Sequence, residues 1–544
     1  MRCSAVVVFL VGFWLACMLP AQPEELHNLE IIFRKSYNDW APDSIVSFGF
    51  DVSSAGDVNG DGYDDIASAG WDYRPGMGWR ALVFVFLGGS QMDTVPDVIL
   101  RDSHWGGSSD ISLASGDVNA DGLSDIVVGL PYDSPGNVDV FFGGNPMDTV
   151  VDLCISEDPP GSYFGGAVAT GDVNGDGFCD IVASDYDKDD IGVAHVFYGG
   201  PLLDHIPDLT LRGHGNEGFG TSVGSGGDVN SDGYDDVVVG AWANSESHLW
   251  AGKVYVYYGG DPMDTVYDVG LHGEGGQQHL GWGDVGFGSD PSGDDFLVTG
   301  TEFWPRGFPA FSPGKLYMLL GGDPMDSIPD FSVHGQRDST SLGQATACGD
   351  VDGDGVDDIF TGAAVEDSFR GTVYVWLTGG GMDTIPDAWM KGEGMFSQPG
   401  WRVASAGDVD GDGRDEIVFS NYALQEFLHT VWVCKYTATG TDEQHMGINR
   451  SNGGLRLVCD PNPFKNSIEL KMISAEAPRP RRRQNLSFAV RDLSGRLIRR
   501  LETNGRMAVW DGKDTEGRPV PAGVYFAHVA FEGSTTASKL IRIR

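Results

Sequence analysis

Asp57-Val-Asn59-Gly-Asp61-Gly-Tyr63-Asp-Asp65 is the stretch that decides the fold, and it returns five more times, starting at Asp117, Asp172, Asp228, Asp350 and Asp408. In every copy an oxygen-bearing side chain stands at loop positions one, three, five and nine, and a glycine stands at position six. Hard divalent cations take oxygen ligands, position seven can add a backbone carbonyl, and glycine permits the sharp turn. The pattern predicts about six Ca2+ sites. Their expected ligands are Asp57, Asn59, Asp61, Tyr63 and Asp65; Asp117, Asn119, Asp121, Leu123 and Asp125; Asp172, Asn174, Asp176, Phe178 and Asp180. The other three sets are Asp228, Asn230, Asp232, Tyr234 and Asp236; Asp350, Asp352, Asp354, Val356 and Asp358; Asp408, Asp410, Asp412, Arg414 and Glu416. A helical calcium loop would need a Glu at position twelve between two amphipathic helices. Here each loop runs into an apolar β-branched stretch such as Asp125-Ile-Val-Val-Gly129, so the loops join strands.

The first four loop starts are 60, 55 and 56 residues apart, and the last two are 58 apart. The gap from Asp228 to Asp350 is 122, two periods, so a seventh copy is expected inside it. It is found in damaged form at Gly281-Trp-Gly-Asp-Val-Gly and Asp290-Pro-Ser-Gly-Asp-Asp295-Phe-Leu-Val, read as three loop residues short and without Ca2+. Each period carries four strand signals: A before the loop (Ser112-Leu-Ala-Ser-Gly116), B after it (Asp236-Val-Val-Val-Gly240), C ending in Gly-Gly (Val254-Tyr-Val-Tyr-Tyr-Gly-Gly260), and D after a Pro-Met-Asp turn (Asp208-Leu-Thr-Leu-Arg212). A four-stranded unit repeated at this length is a propeller blade. The last copy ends at strand C, Thr430-Val-Trp-Val-Cys-Lys435, while an orphan with the D pattern, Leu29-Glu-Ile-Ile-Phe-Arg34, precedes the first. The predicted fold is all-β: a seven-bladed β-propeller over residues 22–436, closed by an N-terminal strand that removes an exposed edge.

Alternating strands put the acidic A–B loops and the C–D turns on one face of the disc. The B–C and D–A loops on the other face are longer and rich in aromatics, and Trp71, Trp79, Trp105, Trp242 and Trp304 are the candidate ligand-binding residues there. Catalytic patterns are poor. Gly220-Thr-Ser222-Val-Gly224 fits a nucleophile elbow but leads to an acidic loop rather than a helix, and no His-Glu-x-x-His stands in the chain. The enzymatic alternative is a polysaccharide- or lipid-degrading site using loop acids such as Asp187, Asp189 or Glu246.

The 544 residues carry a net charge of −44, unevenly placed. Residues 1–454 hold 18 Lys and Arg against 70 Asp and Glu, whereas residues 455–544 hold 17 against 9. Two domains with different roles follow, and the acidic one is no partner for nucleic acid. Residues 1–21 read as a secretory signal, with an apolar run from Ala5 to Leu19 too short to span a bilayer, and no later stretch is long enough either. Cys154, Cys179, Cys348, Cys434 and Cys459 have no disulfide or metal spacing. Residues 437–454 read as a polar linker, and residues 455–544 as a small β-sandwich of short alternating strands.

The Phe48-Gly49, Phe164-Gly165 and Phe219-Gly220 pairs, each followed by a Gly-Asp-Val-Asn-type loop, resemble the FG-GAP repeat of the integrin α N-terminal propeller over about residues 29–436. The pairs are weakened in blades two, five, six and seven. The resemblance implies ligand binding on the face away from the calcium loops. Pro461-Asn-Pro-Phe464, Asp492-Leu-Ser-Gly-Arg496, Trp510-Asp-Gly512, Pro521-Ala-Gly-Val-Tyr525 and Lys539-Leu-Ile-Arg-Ile-Arg544 resemble the immunoglobulin-like sandwich of type IX secretion sorting and flagellar-hook-capping domains. That implies export through a secretion machinery and attachment at a bacterial cell surface. The expectation is therefore a secreted, calcium-stabilised, non-catalytic propeller that binds an extracellular protein or glycan.

Overall fold

The computed structural model describes residues 25–437 and 455–542, apart from 37–45, 75–77, 102–110, 132–135, 157–162, 202, 291–294, 302–312, 323–324, 336–340, 379–381, 383, 394–396, 422–429, 461–467, 475–485, 493–495, 504–506, 522 and 532–533. Residues 1–21, read above as a secretory signal, and all but Thr437 of the expected linker 437–454 lie outside the described residues. The chain divides into two compact units, Met1–Thr437 and Ala438–Arg544.

Seven antiparallel sheets make up the first unit, and in each the strands lie side by side in the order A-B-C-D. Blade one runs Val46–Gly56, Asp65–Arg74, Gly78–Phe86 and Val98–Leu100. Blade seven takes A, B and C from Pro399–Gly407, Glu416–Asn421 and Thr430–Tyr436, and its D strand from Leu29–Ser36. The N-terminal strand pairs antiparallel with Thr430–Tyr436 from Leu29↔Tyr436 to Ser36↔Thr430, which closes the ring as expected. One feature escaped the sequence reading. Glu25–His27 adds a fifth strand to the outer edge of blade six, in the register Leu26↔Met390. Asn28 turns the corner between the two blades with φ +55°, its amide donating to the Asp387 carbonyl at 2.9 Å. Thr437, expected to open the linker, is tied in here as well, its N–H donating to the Asn28 carbonyl at 3.0 Å.

The core is divided into seven slabs, one between each pair of neighbouring blades. Each B strand is covered by a blade on both sides, which is why Asp125–Leu130 and Asp358–Ala363 are buried at every position. The blades approach closely because of paired glycines. A Cβ on Gly129, Gly240, Gly300 or Gly362 of strand B would collide with the carbonyl of Gly165, Gly281, Gly343 or Gly400 in the next blade. Those partners hold φ between +83° and +90°, a region open to glycine. In blades five, six and seven the weakened Phe-Gly pairs are Leu280-Gly281, Leu342-Gly343 and Pro399-Gly400, which keep the glycine and replace only the buried ring, while the blade-two pair lies outside the described residues.

The second unit holds a three-stranded sheet (Leu455–Asp460, Ile468–Ser474, Met507–Trp510) and a four-stranded one (Leu497–Thr503, Leu486–Asp492, Gly523–Phe531, Ser534–Arg542). Trp510 of the first packs edge-on against Tyr525 of the second at 5.2 Å.

The latch strand contributes Phe33 to the slab between blades seven and one, 3% exposed and 5.1 Å from the Phe86 ring. Phe33→Ala is expected to cost about 3–5 kcal/mol, read as a lowered denaturant midpoint. A loss under about 1 kcal/mol would mean the N-terminal strand is not an integral part of the ring.

Candidate functional site

In each acidic loop the first carboxylate organises the turn. Asp57 accepts the N–H groups of Gly60, Asp61 and Gly62, and Asp172, Asp228 and Asp350 repeat the pattern at positions five and six. The fifth-position carboxylate accepts the seventh N–H, as in Asp61 to Tyr63 and Asp354 to Val356. Position nine is buried in all six loops. Asp65, Asp125, Asp180 and Asp236 each accept two backbone N–H groups. One comes from loop position two (Val58, Val118, Val173, Val229). The other comes from the first glycine after strand C (Gly88, Gly143, Gly199, Gly259).

The remaining oxygens converge. Ligand atoms of Asp350, Asp352 and Asp358 lie within 4.8 Å of one another, and so do those of Asp408, Asp410 and Glu416. Asp358 Oδ2, Glu416 Oε1 and Asn59 Oδ1 are buried without a hydrogen-bond partner. Buried acceptors left this way are costly, and a set made wholly of oxygens suits a hard cation. Burial pushes the Asp65, Asp125, Asp180 and Asp236 carboxyls up to about 7, and Asp358 and Glu416 up to about 8, outweighing the backbone hydrogen bonds that favour the charged form. In the seventh blade Lys435 Nζ sits 3.0 Å from Asp410 Oδ2 and competes for the third-position carboxylate.

Blade five departs by replacement rather than by a three-residue deletion. Strand B pairs Leu297↔Leu319, and Gly321 follows two residues later, where the equivalent glycine meets the ninth carboxylate in other blades. Here Gly321 N–H donates to the Asp295 carbonyl at 2.8 Å, and Phe296, 1% exposed, fills the ninth place. Ser289 takes the first position, so the loop is one residue short.

The loops also join blades to each other, which the sequence reading missed by treating each loop as a staple between its own A and B strands. Position eight donates its N–H to the position-one carbonyl of the preceding blade: Ser124 to Asp57, Cys179 to Asp117, Asp235 to Asp172, Asp357 to Ser289, Asp415 to Asp350 and Asp64 to Asp408, at 2.9–3.3 Å. Where position eight is Asp, its carboxylate accepts the position-one N–H in return, at Asp64, Asp235, Asp357 and Asp415. Asp295 accepts from Asp228 in the same way and covers the remaining junction. The second glycine after strand C adds another link, as from Gly144 to the Val58 carbonyl at 2.8 Å. The signal for this was present in the recurring Asp-Asp at positions eight and nine, but only the ring shows which blade the first of the pair faces.

On the opposite face the five tryptophan candidates separate. Trp71 is a correction: it is 6% exposed, packed edge-on against Phe50 at 5.4 Å in the slab of blades one and two. Its place at the end of strand B turns it inward. Trp79 pairs with Tyr73 across strands B and C, its side chain outside the described residues, as are Trp105 and Trp304. Trp242 is half-buried, with Trp282 edge-on at 4.8 Å and His279 at 5.1 Å. Ser222 of the elbow-like motif lies on strand A and donates to the Gly281 carbonyl. Glu246 is held below the usual carboxylate range by the hydrogen bond from Lys253, the reverse of what a general acid needs.

The FG-GAP repeat model matches residues 219–257 and 342–376, the A, B and C strands of blades four and six with their loops. Two of the seven blades thus match the FG-GAP repeat. The chain is similar to integrin alpha-7 of Rattus norvegicus, 33% identical over 185 residues, 31% of this chain and 16% of that protein. Integrin alpha-3 of Cricetulus griseus is 39% identical over 105 residues, 18% of this chain and 10% of that protein. The chain therefore spans less than a fifth of the length of these relatives. A solved structure of PorZ, titled a bacterial surface component of the type-IX secretion system of Porphyromonas gingivalis, overlays with a TM-score of 0.31 and 11% identity over 88% of this chain and 64% of that one. That level carries no inference. No helix among the described residues is long and apolar enough to cross a membrane.

Without a cation the buried ninth-position carboxyls make stability depend on pH. Their folded pKa values lie above the unfolded ones, so their contribution is complete below about pH 4 and is lost as pH rises through 7–8. In chelator, the melting temperature is expected to fall between pH 5 and pH 8. A flat or rising profile would contradict the buried state of these groups.

Proposed function

We propose that the chain is an exported, cell-surface ligand-binding module whose FG-GAP propeller is stabilised by Ca2+ in about six acidic loops. The observation that carries this is the set of buried oxygens, Asp358 Oδ2 and Glu416 Oε1 among them, left without hydrogen-bond partners inside converging carboxylate triads. A hard divalent cation satisfies these oxygens and removes the like-charge repulsion between them. The loops that would hold it also tie the blades, so the cation would act on the ring rather than on a reaction. The opposite loops then remain to meet an extracellular protein or glycan. The C-terminal unit, in this proposal an immunoglobulin-like sandwich, would serve export through a secretion machinery and attachment to the bacterial surface. The Lys253 pairing of Glu246 disfavours that residue as a general acid.

Two measurements check this. At Ca2+ tenfold above its dissociation constant each occupied site adds about 1.4 kcal/mol, so millimolar Ca2+ is expected to raise the melting temperature by several degrees, reversibly with chelator. Calorimetric titration is expected near six sites, with blade seven the weakest and tightened by Lys435→Gln. Identical melting curves with and without Ca2+ would remove the metal from the account. Separately, the full chain is expected to bind at least one class in a panel of matrix proteins, host-cell surfaces and glycans. Failure against every class would rule out the binding role.

A further inference from the structure

Trp250 and Trp282 are the exposed tryptophans among the described residues, 46% and 43% accessible, and they lie in one patch. Trp250 comes from the B–C loop of blade four, Ala243–Ala251, and Trp282 from the start of strand A in blade five. The His279 ring stands between them, 6.4 Å from Trp250 and 6.3 Å from Trp282. Trp242 lies edge-on to both Trp282 and His279 and is less exposed than the two outer indoles. Leu249, 63% exposed, extends the apolar surface beside Trp250.

The patch is rigid. Trp250 holds φ +53°, disfavoured for an aromatic residue, and a set of backbone bonds fixes it there. Its N–H donates to Ser245 Oγ at 2.9 Å, and its carbonyl accepts from His279 N–H at 3.2 Å. On either side, Gln277 N–H donates to the Leu249 carbonyl and Leu280 N–H to the Ala251 carbonyl. The blade-four and blade-five loops are thus stitched together directly under the indoles. Hydrogen-bonding groups surround the rings: Ser245 through His248 and Gln277 are all exposed, and Glu246 carries a carboxylate 3.0 Å from Lys253 Nζ.

We propose that this patch is a binding platform for an oligosaccharide of neutral or N-acetylated pyranoses, which deepens the ligand-binding function proposed above and rests on it. Apolar faces of pyranose rings stack on fixed, half-exposed indoles, and ring hydroxyls donate to carboxylate and hydroxyl acceptors at the rim. The charge of the chain selects the class. With residues 1–454 holding 70 acidic against 18 basic side chains, uronic, sulfated and phosphorylated sugars are repelled. Rigidity reduces the ordering cost of binding, which suits a site with few direct contacts.

The test uses the full chain in millimolar Ca2+, with tryptophan fluorescence and calorimetry against chitohexaose, cellohexaose and an oligogalacturonate of similar length. At least one neutral hexamer is expected to bind and to change the emission, and the oligogalacturonate is expected not to bind. Trp250→Ala and Trp282→Ala should each weaken binding roughly tenfold. Val266→Ala, on a C–D turn of the other face, should bind like the parent. Melting temperatures verify folding, and Trp250→Phe is expected to recover part of the affinity. Absence of binding to both neutral hexamers, or parent-like binding by both alanine variants, would overturn the platform. If the parent still binds a matrix protein or cell surface and both variants match it, only the platform falls. If the parent binds nothing in either set of assays, the ligand-binding function falls with it.

Discussion

A ring of blades has no single core, so its register depends on what links one blade to the next. Here that link is a hydrogen-bonded pair between position eight of each acidic loop and position one of the loop before it. The slabs between blades are apolar, and hydrophobic burial by itself has no direction. Amide-to-carboxylate bonds do have direction, and charge makes them stronger than neutral ones. Seven junctions, five of them with an Asp carboxylate accepting the position-one N–H, close on themselves at Asp64 and Asp408, the point where the chain's first and last blades meet. The Leu29–Ser36 strand completes the same junction from the outer edge.

The acidity of the first unit is largely spent in this way. Position one makes the turn, position eight reaches the neighbour, and position nine anchors its own strand C. Further aspartates cap the C–D turns, as Asp97 does for Leu87 and Asp93 for Val95. Blade five separates the two functions of the loop. It has Phe296 where others have the ninth carboxylate, yet Asp295 still binds the Asp228 N–H of blade four. Inter-blade linkage therefore survives where the ninth carboxylate is replaced.

Periodicity carried the architecture into the sequence. Six copies of one loop, a damaged seventh, and an orphan D strand were enough for blade number and closure, because strand alternation and turn chemistry are local properties. The candidate ligand residues were less legible. Trp71 and Trp250 are both tryptophans in or beside B–C connections, but one ends buried against Phe50 and the other stands in solvent. Exposure depends on which neighbour covers a ring, and that neighbour comes from another blade. The Glu25–His27 strand was missed for a similar reason, since three residues give no periodic signal and blade six already had its four strands.

The sequence by itself determined the repeat, the seven blades, the all-oxygen character of the acidic loops and the two-part division of charge. Each of these is set by residues a few positions apart. Only the tertiary structure decided that position eight serves the adjacent blade, that Phe296 replaces a carboxylate, and that Trp250 and Trp282 share one surface with Trp242 beneath. Those outcomes join residues from different repeats, and their partners are selected by the curvature and closure of the ring, which no single repeat encodes.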